Sequence, residues 1–324
     1  MIEVIVDNRD GTLWDISGMV SSLTFKTVRV GAASSVEMKF LKRSFLSPEE
    51  VKFEPGNVLR IRMDDVNLFY GYIFIVSEDE NESLSVTAYD QLRYLMTSDT
   101  YVFTNKTATE IIRKIASDNE LQVGELADTR YAIPKLLEDG KKLMDIICTA
   151  LDHTLVSEKQ LYVLYDDFGS ITLRKLEDMR QQVVVGEKSL LTGFSSSRSI
   201  DNDTYNQIKL VRDNKDTGKR EVYMARDSSN MAKWGTLQYY EKVDEGKNEA
   251  QIEETLQHLM TMKNREQVTL SLTALGYPGL RAGHTIYVMI EELGIEGFYV
   301  INECSHSFKG DEHTMSLELV VYRL

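Results

Sequence analysis

Cysteine and proline are scarce in this chain, and basic residues are in deficit; each shortage removes a class of protein. Two cysteines in 324 residues cannot build a disulfide framework. Cys148 falls in a helix-like apolar run and Cys304 in a strand-like one, so both read as small core residues and folding in a reducing compartment is expected. Four prolines and no Ser/Gly-rich tract leave no flexible linker, so the domains should pack directly on one another. No run approaches the ~20 apolar residues of a membrane span. The start, Met1-Ile2-Glu3-Val4-Ile5-Val6, reads at once as a strand and lacks the layout of a signal peptide, so synthesis in the cytoplasm is expected. Lys and Arg number 37 against 51 Asp and Glu, a net charge of −14. That balance argues against a nucleic-acid groove, which works by neutralising phosphates.

Catalytic signatures are missing too. No His-Glu-x-x-His, Gly-x-Ser-x-Gly, P-loop or dinucleotide fingerprint occurs. Asp167-Phe168-Gly169 matches the magnesium-binding tripeptide of kinases, but no glycine-rich loop or His-Arg-Asp loop precedes it, so it reads as turn chemistry. Cys304, His306 and His313 fit no zinc spacing and are expected on the arms and solvated tip of a hairpin. His153, His258 and His284 are scattered. With 51 carboxylates and no favoured pair, a glycosidase site has no sequence support. Three Asn-x-Ser/Thr triplets, beginning at Asn81, Asn105 and Asn202, are chance matches in a chain without a secretion signal. The expectation is no enzyme: no catalytic residues, no metal site and no cofactor.

What is present is β structure with an internal echo. An apolar fraction of 42% with 9% aromatics is ordinary for a globular protein. Short alternating segments at 3–6, 20–30, 36–41, 58–63, 71–76 and 84–88 predict a small antiparallel barrel over residues 1–96. The period then changes. Thr107-Ala108-Thr109-Glu110 is a capping box, a second helix is expected over 141–151, and a hairpin turns at residues 166–169, giving a small α/β domain over 97–187. Residues 188–324 return to β, with a strand at 206–212 and one amphipathic helix at 249–265. In this last part, Gly283 to Ile290, Gly297 to Ile301 and Met315 to Leu319 repeat Gly56 to Met63, Gly71 to Ile75 and Leu84 to Ala88. Leu59, Ile61 and Met63 align with Ile286, Val288 and Ile290, in phase. Gly56, Gly71, Gly283 and Gly297 read as matching turn or strand-entry positions. The fold class expected is α+β, mainly β: two β-barrel domains related by duplication, with the small α/β domain between them.

Three stretches carry a family likeness: residues 88–95 running into 105–112, 227–238 leading to Val243-Asp244-Glu245, and 272–276 through 280–283. In them the chain resembles the baseplate hub proteins of contractile phage tails, the XkdQ-type proteins of Gram-positive prophages and tail-like bacteriocins. The resemblance implies tail-tube-like barrels and a homotrimeric, pseudo-sixfold ring that adapts a sixfold tail tube to a threefold spike. It also implies tail tube, central spike and other baseplate proteins as partners, with tape-measure protein or DNA passing through the channel without specific binding. Assembly in the bacterial cytoplasm and residence in the baseplate follow from it. The alternative is a tail-associated cell-wall hydrolase or glycan-binding module centred on the middle domain. Two departures separate the copies: the front one lacks the 249–265 helix, and Arg60 and Arg62 stand where the back one has Tyr287 and Met289.

Overall fold

The computed structural model describes residues 2–41, 51–78, 83–201, 203–214, 218–243, 245–246 and 248–320. The acidic hairpin tip expected at 78–82 lies, beyond Glu78, outside them. Two compact units emerge: Met1–Ser195 with Ser271–Leu324, and Ser196–Leu270. The fold is mainly β.

The first unit opens with β1 (Ile2–Asp7), β2 (Leu13–Asp15), β3 (Val20–Val28), β4 (Ser35–Leu41), β5 (Val58–Met63), β6 (Val66–Glu78) and β7 (Ser83–Tyr89). Alternation drives them. In β3 the side chains of Leu23, Phe25 and Thr27 are buried while their neighbours keep contact with solvent, the period-two pattern of a half-buried strand. β3 pairs β4, β4 pairs β7, β7 pairs β6, β6 pairs β5 and β5 pairs β1, all antiparallel. Val4, Leu23, Met38, Ile61, Phe69 and Val86 share one core on the inner face.

A helical layer follows. β8 (Ser98–Thr107) leads into α1 (Ala108–Asp118), then β9 (Val123–Leu126), β10 (Ala132–Lys142), α2 (Leu143–Glu158), β11 (Tyr162–Asp166) and β12 (Ile171–Lys175). The capping box forms: the Thr107 hydroxyl accepts from the Glu110 N–H at 3.2 Å, and the Glu110 carboxylate accepts from the Thr107 N–H at 2.9 Å. Ile111, Ile112 and Ile115 of α1 and Leu143, Ile146 and Ile147 of α2 fill a second, separate core. α2 runs seven residues past the expected Leu151, because 152–158 contain no glycine or proline to stop it. It ends where Lys159 turns left-handed at φ 57°. β8 and β10 form a ribbon by themselves.

β13 (Arg180–Gly186) and β14 (Leu191–Ser199) then lead to the second unit. There β15 (Gln207–Asn214), β16 (Lys219–Arg226), α3 (Ser228–Trp234), β17 (Gln238–Lys242) and α4 (Glu249–Lys263) follow. A three-stranded sheet in the order β16-β15-β17 carries α4 on one face, with Ile208, Leu210, Val243, Ile252 and Leu256 buried between them. Asn248 and Gln251 cap α4 reciprocally.

The chain finishes with β18 (Gln267–Leu275), β19 (Thr285–Ile290), β20 (Ile295–Lys309) and β21 (Glu312–Val320). The long sheet runs β14-β18-β21-β20-β3-β4-β7-β6-β5-β1-β2, with β19 beside β20 and β13 beside β19. Among the described residues no pairing closes it into a barrel. The reason lies in β20. Its first half pairs β19, while residues 303–308 pair β3, fusing the two ends of the chain into one sheet.

Candidate functional site

The four glycines singled out by the echo fall into two groups. Gly56 and Gly283 are equivalent in detail. Both are left-handed, at φ 94° and 91°. The Gly56 N–H donates to the Ile73 carbonyl at 2.8 Å and the Ile73 N–H donates back to Asn57 at 2.9 Å. The Gly283 N–H donates to Ile301 at 2.8 Å and the Ile301 N–H donates back to His284 at 2.9 Å. Gly71 and Gly297 sit on different rungs: Gly71 lies opposite Leu59, Gly297 opposite Val288. Ile73 thus matches Ile301, a two-residue slip from the register that the glycines suggest. A slip of two keeps every side chain on its face. Gly71 answers a different need, because a Cβ there would lie 2.3 Å from the Tyr89 carbonyl oxygen.

A buried polar joint ties the front sheet, the helical layer and the chain entering β19. Asp90, 1% exposed, accepts from the Leu92 N–H at 3.0 Å and the Ser34 N–H at 2.9 Å. It thereby caps the short helix Gln91–Met96 and clamps the β3–β4 turn. The Gln91 side-chain amide donates to Asp166 at 2.7 Å and to the Gln122 carbonyl at 3.2 Å, and accepts from the Gln122 N–H. Asp166 also accepts from the Gly169 N–H at 2.7 Å. Arg281 donates to the Asp166 backbone carbonyl at 3.1 Å, and its guanidinium lies 3.9 Å over the Tyr165 ring. The adjoining Ala282 N–H donates to Thr27 at 2.9 Å. Burial, reinforced for Asp90 by the neighbouring Asp166, pushes both carboxyls above the ordinary carboxylate range. Chemically the joint is a lock of hydrogen bonds, and it takes up protons more readily than free carboxylates do.

The turn expected at Asp167-Phe168-Gly169 is there, with Phe168 at φ 50° and Gly169 at 93°, and it does more than reverse the chain. Phe168 packs edge-on to Tyr70 at 5.7 Å, and the Arg62 guanidinium lies over its ring at 5.2 Å, pegging the helical layer to the outer face of β6. The joint residues themselves carried a signal: Asp90-Gln91 and Arg281-Ala282 belong to two of the three stretches that bear the family likeness, and here those stretches meet.

The histidines depart from expectation. Cys304 and His306 are not solvated tip residues; both are fully buried, and His313 is half-buried. Alternation explains it, since Cys304, His306 and Phe308 share the inward face of β20. His306 Nε2 donates to the Leu280 carbonyl at 2.8 Å, so its Nδ1 accepts from His313 Nε2 at 3.0 Å. Burial holds both rings below the usual histidine range, His313 at about 4. With both His306 nitrogens engaged, no ring nitrogen of that residue is available to a metal, and among the described residues no metal-holding group occurs. His153, His258 and His284 do not join this cluster; His284 approaches Gln181 at 3.4 Å.

Comparison with known proteins gives a family and a fold. Residues 23–320 match the family model described as YQBQ-like. The protein YqbQ of Bacillus subtilis (strain 168) is 34% identical over 99% of this chain and 97% of its own length. The phage-like element PBSX protein XkdQ of the same organism is 35% identical, over 82% of this chain and 81% of its own. Among solved structures, the prophage MuSo2 43 kDa tail protein from Shewanella oneidensis superposes with a TM-score of 0.71 over 98% of this chain and 97% of its own, at 12% identity. That likeness is one of fold.

Proposed function

Because the chain belongs to the YQBQ-like family, we propose that it is a structural hub of a contractile phage-tail baseplate. Three copies form a pseudo-sixfold ring around a central channel, joining a sixfold tail tube to a threefold spike. Residues 1–96 and 188–324 act as two duplicated tube-like modules, and residues 97–187 as the domain between them. The partners are a second and third copy, the tail tube and spike proteins and further baseplate components; tape-measure protein or DNA passes through without specific binding. The chain works by assembly, not catalysis, first in the bacterial cytoplasm and then in the baseplate.

One observation carries this reading: the way the two modules meet. β20 of the back module pairs β3 of the front one. The matched turns at Gly56 and Gly283 make β6 the counterpart of β20. β14 lies beside β18 in the sheet as β3 lies beside β4, so β14 is the counterpart of β3. If modules repeat around a ring, β6 of one chain should then pair β14 of the next. Both edges are open for it. Among the described residues, 75–77 of β6 pair β7 alone, and β14 ends the long sheet. Such a head-to-tail contact generates a ring where its rotation closes, and an unpaired strand edge is a ready template for another chain. Light scattering tests the reading: a mass of three times the 37.0 kDa chain supports it, and a monomer at every concentration overturns it.

A further inference from the structure

Charge is divided unequally between the two units. Ser196–Leu270 holds 12 Lys and Arg against 13 Asp and Glu, whereas the other unit holds 25 against 38. Nearly all of the net negative charge therefore belongs to the unit that contains the long sheet. Within Ser196–Leu270 the charges separate again. α4 carries Glu249, Glu253 and Glu254 on its side of the sheet. Cross-strand register puts Lys209, Arg220, Arg226 and Lys242 together on the face away from α4, around Val222, Met224 and Tyr240. Among the described strand residues Asp213 is the one acid of that face, and it is held between Arg220 and Lys242 at 2.7 Å from each. Val222 and Tyr240 are each 52% exposed and Met224 is exposed beside them, while Val211 between the strands is buried. Lys209 leans over the Tyr240 ring at 5.9 Å, and Arg226 rests on the Met224 sulfur.

We infer that this cationic, apolar sheet face docks on the acidic long-sheet unit of a second copy of the chain. The inference rests on the proposed ring and adds a contact to it. Two arguments select the occupant. Face-to-face pairing of two such surfaces about a twofold axis would set like charges against each other, whereas a head-to-tail contact sets the cationic face against an acidic surface. The second argument is continuity: β14, the strand that leads into Ser196–Leu270, is also the open edge at which the next copy is proposed to join. The exposed Val222, Met224 and Tyr240 would supply the apolar centre of the contact and the four cations its rim, the usual division of roles in an interface.

The test uses the whole chain in two variants whose altered side chains are exposed or, for Lys209, half-buried. Lys209→Glu with Arg226→Glu reverses charge without touching the Asp213 pairs; Val222→Ser with Met224→Ser removes the apolar centre. Self-association is followed by sedimentation at low salt (about 50 mM), where charge contacts are least screened. Circular dichroism verifies the fold. The charge-reversed chain should associate about tenfold or more weakly than wild type. The wild-type chain should itself weaken with added salt, and the serine variant should also associate less. A trimeric wild type with both variants associating equally well overturns this contact and leaves the ring standing. A wild type that stays monomeric overturns both.

Discussion

The front meander β5-β6-β7 and the back meander β19-β20-β21 share one turn and differ in nearly everything around it. Each begins on a left-handed glycine with the same reciprocal pair of backbone hydrogen bonds. Around Gly56 the space is open, and Glu54 before it is exposed; around Gly283 the Val163 and Met179 side chains crowd in, and Arg281 before it reaches into the polar joint. Arg60 and Arg62, which stand where Tyr287 and Met289 stand behind, have a reason within the chain. Arg62 covers Phe168 and Arg60 lies over Tyr70 at 5.6 Å, under the helical layer, while Tyr287 packs on Phe298 and donates to Glu296. The lesson is that one turn geometry can recur while the side chains around it are fitted to separate surroundings. In the front those surroundings are another layer of the same chain.

The largest expected effect separates the two strand glycines. Gly71→Ala forces a Cβ to 2.3 Å from the Tyr89 carbonyl and should cost at least about 3 kcal/mol of stability. Gly297→Ala meets nothing nearer than 4.0 Å and should cost less, its penalty coming from the backbone φ of 159° and not from a clash. Equal losses in denaturant melts would mean that the two glycines share a register position after all. Next comes the joint. Arg281→Met leaves Asp90 and Asp166 without their nearby cation and should cost about 2 kcal/mol at pH 8, less than a fully buried pair because Arg281 keeps some exposure. The loss should shrink at pH 5, where the two carboxyls hold protons more readily. A pH-independent loss would show that the charge of Arg281 is irrelevant there.

A smaller contrast lies at the shared turn. Gly56→Ala should cost about 1 kcal/mol for its left-handed backbone alone. Gly283→Ala should cost about 1 kcal/mol more, since its Cβ would meet Val163 Cγ1 at 2.8 Å. The smallest effect is one of slope. His306 and His313 titrate lower when folded than unfolded, so between pH 6.5 and about 4 the unfolded chain binds protons that the folded chain refuses. Their contribution is intact above pH 6.5 and is lost as the pH falls through that window. Asp90 and Asp166 work the opposite way, contributing most at low pH and losing it as the pH rises. His313→Gln should therefore flatten the acid limb of the stability profile, and an unchanged limb would assign that slope elsewhere.

Much of the fold was legible because period and capping are local signals. Thr107 and Glu110 announced α1, and the alternation of Leu84, Val86 and Ala88 announced β7. The register slip was not, because Gly71 and Gly297 look alike in sequence yet answer to different neighbours. Nor was the β20–β3 pairing, which joins residues nearly 280 positions apart and leaves no mark in either segment. At the site, Asp166 and Phe168 were recognisable as turn residues, but only tertiary contacts reveal that the turn is a peg and Asp166 part of a lock. His306 could have been placed from its phase with Cys304 and Phe308; the hairpin-tip expectation outweighed that alternation.

The central claim is that the open edges of β6 and β14 join different chains and make three copies present six modules. Averaged electron-microscope images of the purified full-length protein test it most directly. The account predicts closed rings of three chains with six lobes around a central channel. Twofold particles, open filaments or separate single chains would contradict it.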